Sequence, residues 1–473
     1  MGNRYLEGGF APLDQEFTLT ELQVTGTIPD HLDGRYLRNG PNPIGDIDPQ
    51  LYHWFSGDGM VHGIRIRDGR AEWYRNRWVR GPVTSIALGE TPQSDSGRGV
   101  GANTNVIGHA GKILALVEGG GTQYELSGDL DTVGVCDFDG TLGGGYTAHP
   151  KRDPDTGELH AVSYSFLTPG SVQYSVIGTD GRARRTVDIE VGGSPMMHDF
   201  SLTENHIVLY DLPVTFDTGT VAEMIAPRWL RLPARLLLSA MIGRVPMPSP
   251  PRPSGPPRDR RMPYSWNPRY PARIGVMSRT GSTSVRWFDI EPCYVFHPMN
   301  AYEDGDSIVL DVVRYPKMFD TNHFGPDEGA PSLDRWEVDL SAGKVRQSRL
   351  DDRAQEFPRI DERLIGKRHR YGYAPGVGGG LRGESTLYKH DLVHGTTASR
   401  DFGAGKELGE FVFHPSALDA AEDDGVLMGF IYDVPTGRSE LAIVDAGTLE
   451  PVADIQLPHR IPTGFHGNWI PEV

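Results

Sequence analysis

The chain has 473 residues, a formal net charge of −17 and an apolar fraction of 38%. An acidic balance of this size disfavours bulk contact with nucleic acid, and no apolar run approaches the roughly 18 residues needed to span a bilayer. Two cysteines, Cys136 and Cys293, without a CxxC pair exclude a disulfide framework or a thiolate metal site and fit a reducing cytosol.

Along the chain, the opening stretch "MGNRYLEGGFAPLDQEF" has no apolar signal core and no Ser or Thr at its sixth position. Neither secretion nor myristoylation is therefore expected. Strand-like runs follow: "GKILALVEGG" (111–120), "ELHAVSYSF" (158–166), "SVQYSVIGTDGRARRTVDIEV" (171–191) and "HIVLYDLPV" (206–214). After them come "DSIVLDVVRY" (306–315), "VLMGFIYDV" (426–434) and "ELAIVDAGTLEPVADIQL" (440–457). Their turns read "GTDG", "EDGDS", "SAGK", "EDDG" and "DAGT". Asp and Gly supply the positive-φ and Asx-turn conformations that hairpins need. With 59 glycines and 37 prolines spread over the whole length, the pattern predicts an antiparallel all-β chain. A β-propeller filling residues 1–473 as one domain fits best. No strict repeat such as a WD signature occurs, so the blade number is not legible from repeats.

Residues 219–263 break the pattern. Within 221–263 an apolar half carries Arg228, Arg231 and Arg235 at helical spacing, and a Pro/Arg-rich linker follows. Eight arginines stand against Glu223 and Asp259, a basic island in an acidic protein. Two readings stand: a helix packed on the core as a lid, or a segment over 226–246 that lies on a membrane surface. In the second, Trp229, Leu230, Leu236, Leu237, Leu238, Met241 and Ile242 ring the entrance to the interior.

Four histidines share a setting. His149 lies in "TAHPKRDPDTG", His198 in "MMHDFSLTENHIVL", His297 in "FHPMNAYEDGD" and His466 in "FHGNWIP". Each stands beside Pro, Asp or Gly and next to an apolar residue or a strand-like run, so a turn at a strand end can aim the ring into a central cavity. Neutral imidazoles suit Fe, Zn or Cu, and each ligating ring needs an acceptor for its other N–H. Glu118, Glu356 and Glu410, each beside apolar residues, are candidates for that task. Surface ion pairs are the alternative for each.

Read in order, "GRYLRNGPNP" (34–43), "HWFSGDGMVH" (53–62), "YRNRWVR" (74–80), "ANTN" (102–105), the four histidine motifs, "EFPRID" (356–361) and the Gly409–Glu410 pair resemble the carotenoid cleavage oxygenase family across essentially the whole chain. That family includes apocarotenoid oxygenases, lignostilbene dioxygenases and the vertebrate retinoid isomerohydrolase. The long arginine-rich insertion is most similar to that of the actinobacterial members.

The resemblance implies a seven-bladed β-propeller with a helical and loop cap over its iron-bearing face. It implies one Fe(II) on the axis, held by His149, His198, His297 and His466, with Glu118, Glu356 and Glu410 orienting three of them. Thr104 matches a threonine whose methyl group crowds one open iron position. Phe55 and Phe296 match tunnel-lining aromatics, where flat apolar walls suit a conjugated polyene. Read as isolated residues, the three would be a strand threonine and two core aromatics. Lignostilbene-cleaving members carry a lysine where this chain has Val117, so a carotenoid or apocarotenoid is expected rather than a stilbene.

The implied reaction is cleavage of one C=C bond by O2 to two carbonyls. Cleavage of stilbenes or small phenylpropenoid alkenes, and iron-dependent isomerisation or hydrolysis of a polyene ester, are the alternatives. No organic cofactor is implied: "GVGGG" (376–380) lacks the strand–helix setting of a dinucleotide site. No protein partner is implied, and the expected location is the cytoplasm with peripheral attachment to membrane.

Overall fold

The computed structural model describes residues 2–92, 101–143, 145–165, 168–241 and 256–472. Seven antiparallel sheets follow one another along the chain as propeller blades. The first holds Gly34–Pro41, Gly59–Arg67 and Arg70–Trp78. The second begins at Asn105–His109, the third at Lys151–Arg152, the fourth at Phe200–Leu202, the fifth at Tyr294–Asp304 and the seventh at Lys406–Leu408. In the sixth, Tyr371–Val377, Gly383–Asp391 and Thr396–Asp401 form the sheet, and bridges Gln355↔Gly376 and Arg359↔Tyr373 add an inner edge.

Both ends of the chain close the ring. Gly467–Pro471 pairs with Gly34–Pro41 in the first blade, Tyr36 opposite Trp469. Gln23–Gly26 pairs with Pro451–Gln456 in the seventh, Val24 opposite Ile455. Closure leaves fewer unpaired strand edges.

Strand character follows position. Tyr294–Asp304, near the axis, is buried over nine consecutive residues, whereas the outer strand Ala183–Glu190 mostly alternates half-buried with exposed. An inner strand is covered on both faces and an outer one is half wet. Apolar side chains interlock between neighbouring blades: Leu37 and Val61 of the first meet Val106 and Ala115 of the second. Gly59 permits this approach, since a Cβ there would stand 1.9 Å from the Ala102 carbonyl oxygen.

Loops at the histidine-bearing ends of the blades form the cap, and polar contacts tie them together. Tyr5 donates to the Phe324 carbonyl at 2.7 Å, and the His53 amide donates to the Arg260 carbonyl at 3.0 Å. Arg260 and Asp58, both fully buried, pair at 2.9 Å.

From the fourth blade a two-stranded ribbon, Val214–Phe216 with Tyr264–Trp266, carries a helical hairpin. Asp217 caps its first helix, Thr218–Ile225, accepting from the amides of Gly219 and Thr220. The second helix is Arg231–Met241. Trp229, Leu232, Leu236 and Leu237 are 78%, 67%, 63% and 61% exposed, so these residues are not packed into the propeller. Leu238 corrects the expectation for the entrance ring: it is buried. Ile242 and the Pro/Arg-rich stretch 242–255 lie outside the described residues. Among the described residues no helix is long and apolar enough to cross a membrane.

Candidate metal centre

Each of the four histidines sits at or near the start of an inner strand, and each belongs to a different blade. His149 precedes Lys151–Arg152, His198 precedes Phe200–Leu202, and His466 immediately precedes Gly467–Pro471. His297 lies inside Tyr294–Asp304, where the register shifts between Val295 and Pro298. All four are buried, and one nitrogen from each lies within 4.8 Å of those of the others.

The remaining three blades supply carboxylates. Glu118 follows Lys112–Leu116 in the second blade, and Gly119 and Gly120, at φ 69° and 87°, turn the chain directly after it. Its oxygens accept from His198 Nδ1 at 2.8 and 2.9 Å. Glu356, on the inner edge of the sixth blade, accepts from His297 Nδ1 at 2.7 Å and from the Phe357 amide. Phe357 is left-handed, at φ 52°, a conformation uncommon for a bulky residue that turns the chain at this point. Glu410 of the seventh blade accepts from His466 Nδ1 at 3.0 Å and from the Gly467 amide at 2.8 Å. Seven blades thus give four rings and three carboxylates to one point.

A carboxylate on Nδ1 fixes the proton there and leaves Nε2 as a bare lone pair. His198 Nε2 and His297 Nε2 then face each other at 3.2 Å with no proton between them. His149 Nε2 is buried without any hydrogen-bond partner. Converging lone pairs and an orphaned buried nitrogen are what a cation would satisfy, so the donor set fits a bound divalent metal.

The electrostatics differ between rings. Burial pushes His297 down, but Glu356 together with the Asp199 and Glu410 charges outweighs it and the net shift is upward. His149 has no such partner: burial and the three neighbouring rings hold it well below the usual range. Its Nδ1 is 3.8 Å from Asp199, too far for a direct hydrogen bond. Burial also opposes ionisation of Glu410, yet Arg359, His466 and the Gly467 amide hold it down, to about 2.

An apolar chamber of about 210 Å³ opens on the centre. Phe55, Val117 and Phe296 all line it, as does Thr104. The Phe55 and Phe296 rings meet edge to face at 5.7 Å, and Phe296 meets His198 at 5.1 Å. Thr104 directly precedes the inner strand of the second blade, and its hydroxyl donates to Asn103 at 2.9 Å. Every site residue expected from the sequence is thus at the centre or in this chamber.

Others were not anticipated. Phe465 and Phe357 complete the aromatic wall, and the FH doublet at 465–466 repeats that at 296–297. Tyr164 lies against Glu118; burial and that charge drive its phenol well above the usual range. Arg359, three residues after Glu356, reaches Glu410 at 3.4 Å. Asp199 is paired with Lys151 at 2.8 Å beside His149. Contacts between blades leave no local signature, so only adjacency to the motifs could have flagged these residues.

Residues 10–471 match the retinal pigment epithelial membrane protein family. A protein of Mycobacterium tuberculosis named carotenoid cleavage oxygenase is 56% identical, over 99% of this chain and 98% of its own length. The carotenoid 9,10(9',10')-cleavage dioxygenase 1 of Arabidopsis thaliana is 32% identical over 99% of this chain and 90% of its own. The crystal structure of cobalt-substituted Synechocystis apocarotenoid oxygenase superposes with a TM-score of 0.80 at 26% identity, covering 98% of both chains.

Proposed function

The chain belongs to the carotenoid cleavage oxygenase family, and from that premise we propose that it cleaves one C=C bond of a carotenoid or apocarotenoid with O2, giving two carbonyl products. The observation that carries this is a four-histidine centre, three of its rings each held by a glutamate, opening onto an apolar chamber. Bound there, Fe(II) would supply the redox and dioxygen-binding chemistry of the cleavage.

The protein's own part is positional. His149, His198, His297 and His466 hold the metal, and Glu118, Glu356 and Glu410 fix the tautomer and tilt of three rings. Thr104 has its hydroxyl engaged by Asn103, so its methyl is the group left to crowd one side of the centre. Phe55, Phe296 and Val117 hold a flat polyene by shape and exclude water from the reacting bond. Among the described residues no Lys or Arg lines the chamber. A phenolate there would have no cation to pair with, which favours a polyene over a hydroxystilbene.

The hairpin within 219–263 is the cap insertion in this reading. It returns through Met262, Pro263 and Tyr264, which line the chamber, while Trp229, Leu232, Leu236 and Leu237 remain exposed. These side chains dip into a membrane surface from which the water-insoluble substrate is drawn, and the exposed Arg228 and Arg235 meet anionic headgroups at about 1 kcal/mol each.

Incubating the iron-loaded protein with carotenoids, apocarotenoids and stilbenes, with O2 uptake followed and products identified, tests the assignment. Two carbonyl fragments from a polyene, formed with O2 consumption, are expected. Polyene isomerisation or ester hydrolysis without O2 uptake would overturn it.

A further inference from the structure

The four-histidine centre has two sides. The apolar chamber touches His198, His297 and His466. Opposite it, along the propeller axis, runs a larger cavity of about 810 Å³ that touches His149, His297 and His466. His198 therefore lines the chamber alone and His149 the axial cavity alone.

The two walls differ in chemistry. Four phenylalanines, Phe55, Phe296, Phe357 and Phe465, dominate the chamber. In the axial cavity Lys112 faces Glu125 at 2.9 Å, Lys151 faces Asp199 at 2.8 Å and Arg359 faces Glu362 at 2.6 Å. Arg35, Arg152, Glu410 and Glu472 line it too, so five cations stand against five carboxylates and the wall has no net positive barrier. A divalent cation travels with its hydration shell, and shedding that shell among aromatic rings is costly. A cavity lined by charged side chains lets it keep its water up to the ligands. At the inner end stands Asp199, its side chain 2% exposed and 3.8 Å from His149 Nδ1. Beside it His149, 5% exposed, carries the orphaned Nε2.

We propose that the axial cavity is the route by which a hydrated divalent cation enters and leaves the four-histidine centre, passing Asp199 beside His149 at its inner end. Metal and alkene then use opposite sides, so a bound polyene does not trap or expel the metal. This rests on the metal-centre reading above.

Reversible plugging tests it in the full-length protein. Ile107 lines the axial cavity and Met262 the chamber, both half-buried. In a Cys136→Ser background, Ile107→Cys and Met262→Cys are each labelled with a bulky thiosulfonate that a reductant removes. Co(II) uptake by metal-free protein is followed by visible absorbance, and its loss to a chelator is timed. The label on Ile107→Cys is expected to slow both rates, with reductant restoring them and final content unchanged at about one ion per chain. On Met262→Cys it should leave both rates intact while polyene turnover falls. Asp199→Asn should take up Co(II) about tenfold more slowly, to the same final content. Equal rates with and without the label on Ile107→Cys overturn the route, and so does a label on Met262→Cys that slows metal as much. If unlabelled protein never binds Co(II), the four-histidine reading fails and the route with it; stoichiometric Co(II) indifferent to the Ile107→Cys label sinks the route alone.

Discussion

The metal centre and the helical hairpin are built on opposite principles. At the centre seven blades converge, the four rings are 5–8% exposed, and three of them are each locked by a carboxylate at 2.7–3.0 Å. In the hairpin the helices Thr218–Ile225 and Arg231–Met241 pack chiefly on each other, and large apolar side chains stand in solvent. Exposed leucines cost solubility unless something covers them at work, whereas misplaced ligands cost the metal. One region is organised around its own interior, and the other leaves large apolar side chains in solvent.

The largest expected effect is at the centre. His297→Ala should lose bound iron and all turnover while far-ultraviolet circular dichroism stays unchanged. Full iron content in that variant would break the contrast at its root.

Glu118→Gln, Glu356→Gln and Glu410→Gln should each keep the fold and lower iron retention or rate by about 10–100-fold. Glu410 has most to lose, because Arg359 then keeps only the half-exposed Glu362 as an anionic partner. Three variants indistinguishable from the parent by metal analysis and kcat would remove the orienting role.

For the hairpin, Leu236→Ser with Leu237→Ser should weaken liposome flotation by about tenfold, since partial burial of two leucines is worth at least 1.4 kcal/mol. Iron content should not move. Leu238→Ser should instead lower Tm, because Leu238 is packed. Undiminished flotation of the double variant would leave the exposed face without its proposed role.

Acid separates the regions further. Burial pushes His160, His369 and His390 down to about 4, in the third blade, next to the fifth and in the sixth. Their unfolded forms take up protons from about pH 6.5 downward and the folded forms do not. Stability should therefore fall as pH drops from about 6.5 to about 4, read as a declining Tm. The hairpin helices contain no histidine, so vesicle binding measured while the fold persists should be flat over the same window.

The smallest effect concerns the chamber wall. Val117→Lys should raise kcat/KM for a 4-hydroxystilbene relative to an apocarotenoid, by supplying the cation a phenolate lacks. An unchanged ratio would mean that another feature of the chamber sets the preference.

The four histidines and the three glutamates could be singled out from their flanking residues, whereas Thr104, Phe55, Phe296 and Val117 were singled out only through the family resemblance and read alone as a strand threonine and core side chains. Strand-forming runs were legible because period-two burial and turn chemistry are local. The blade number, seven, came only through the family resemblance, since similar turns recur without a repeat and closure depends on Gly467–Pro471 pairing with a strand more than 400 residues earlier. Nor could "LLL" at 236–238 reveal that Leu238 is covered while its neighbours are not. Successive helix residues point about 100° apart, and which direction meets protein is decided by the packed helix. Arg359 against Glu410, Lys151 with Asp199, and the division of the histidines between an apolar chamber and a charge-lined axial cavity join residues from different blades. They exist only once the ring is closed, and physical contact across blades has no counterpart in sequence spacing.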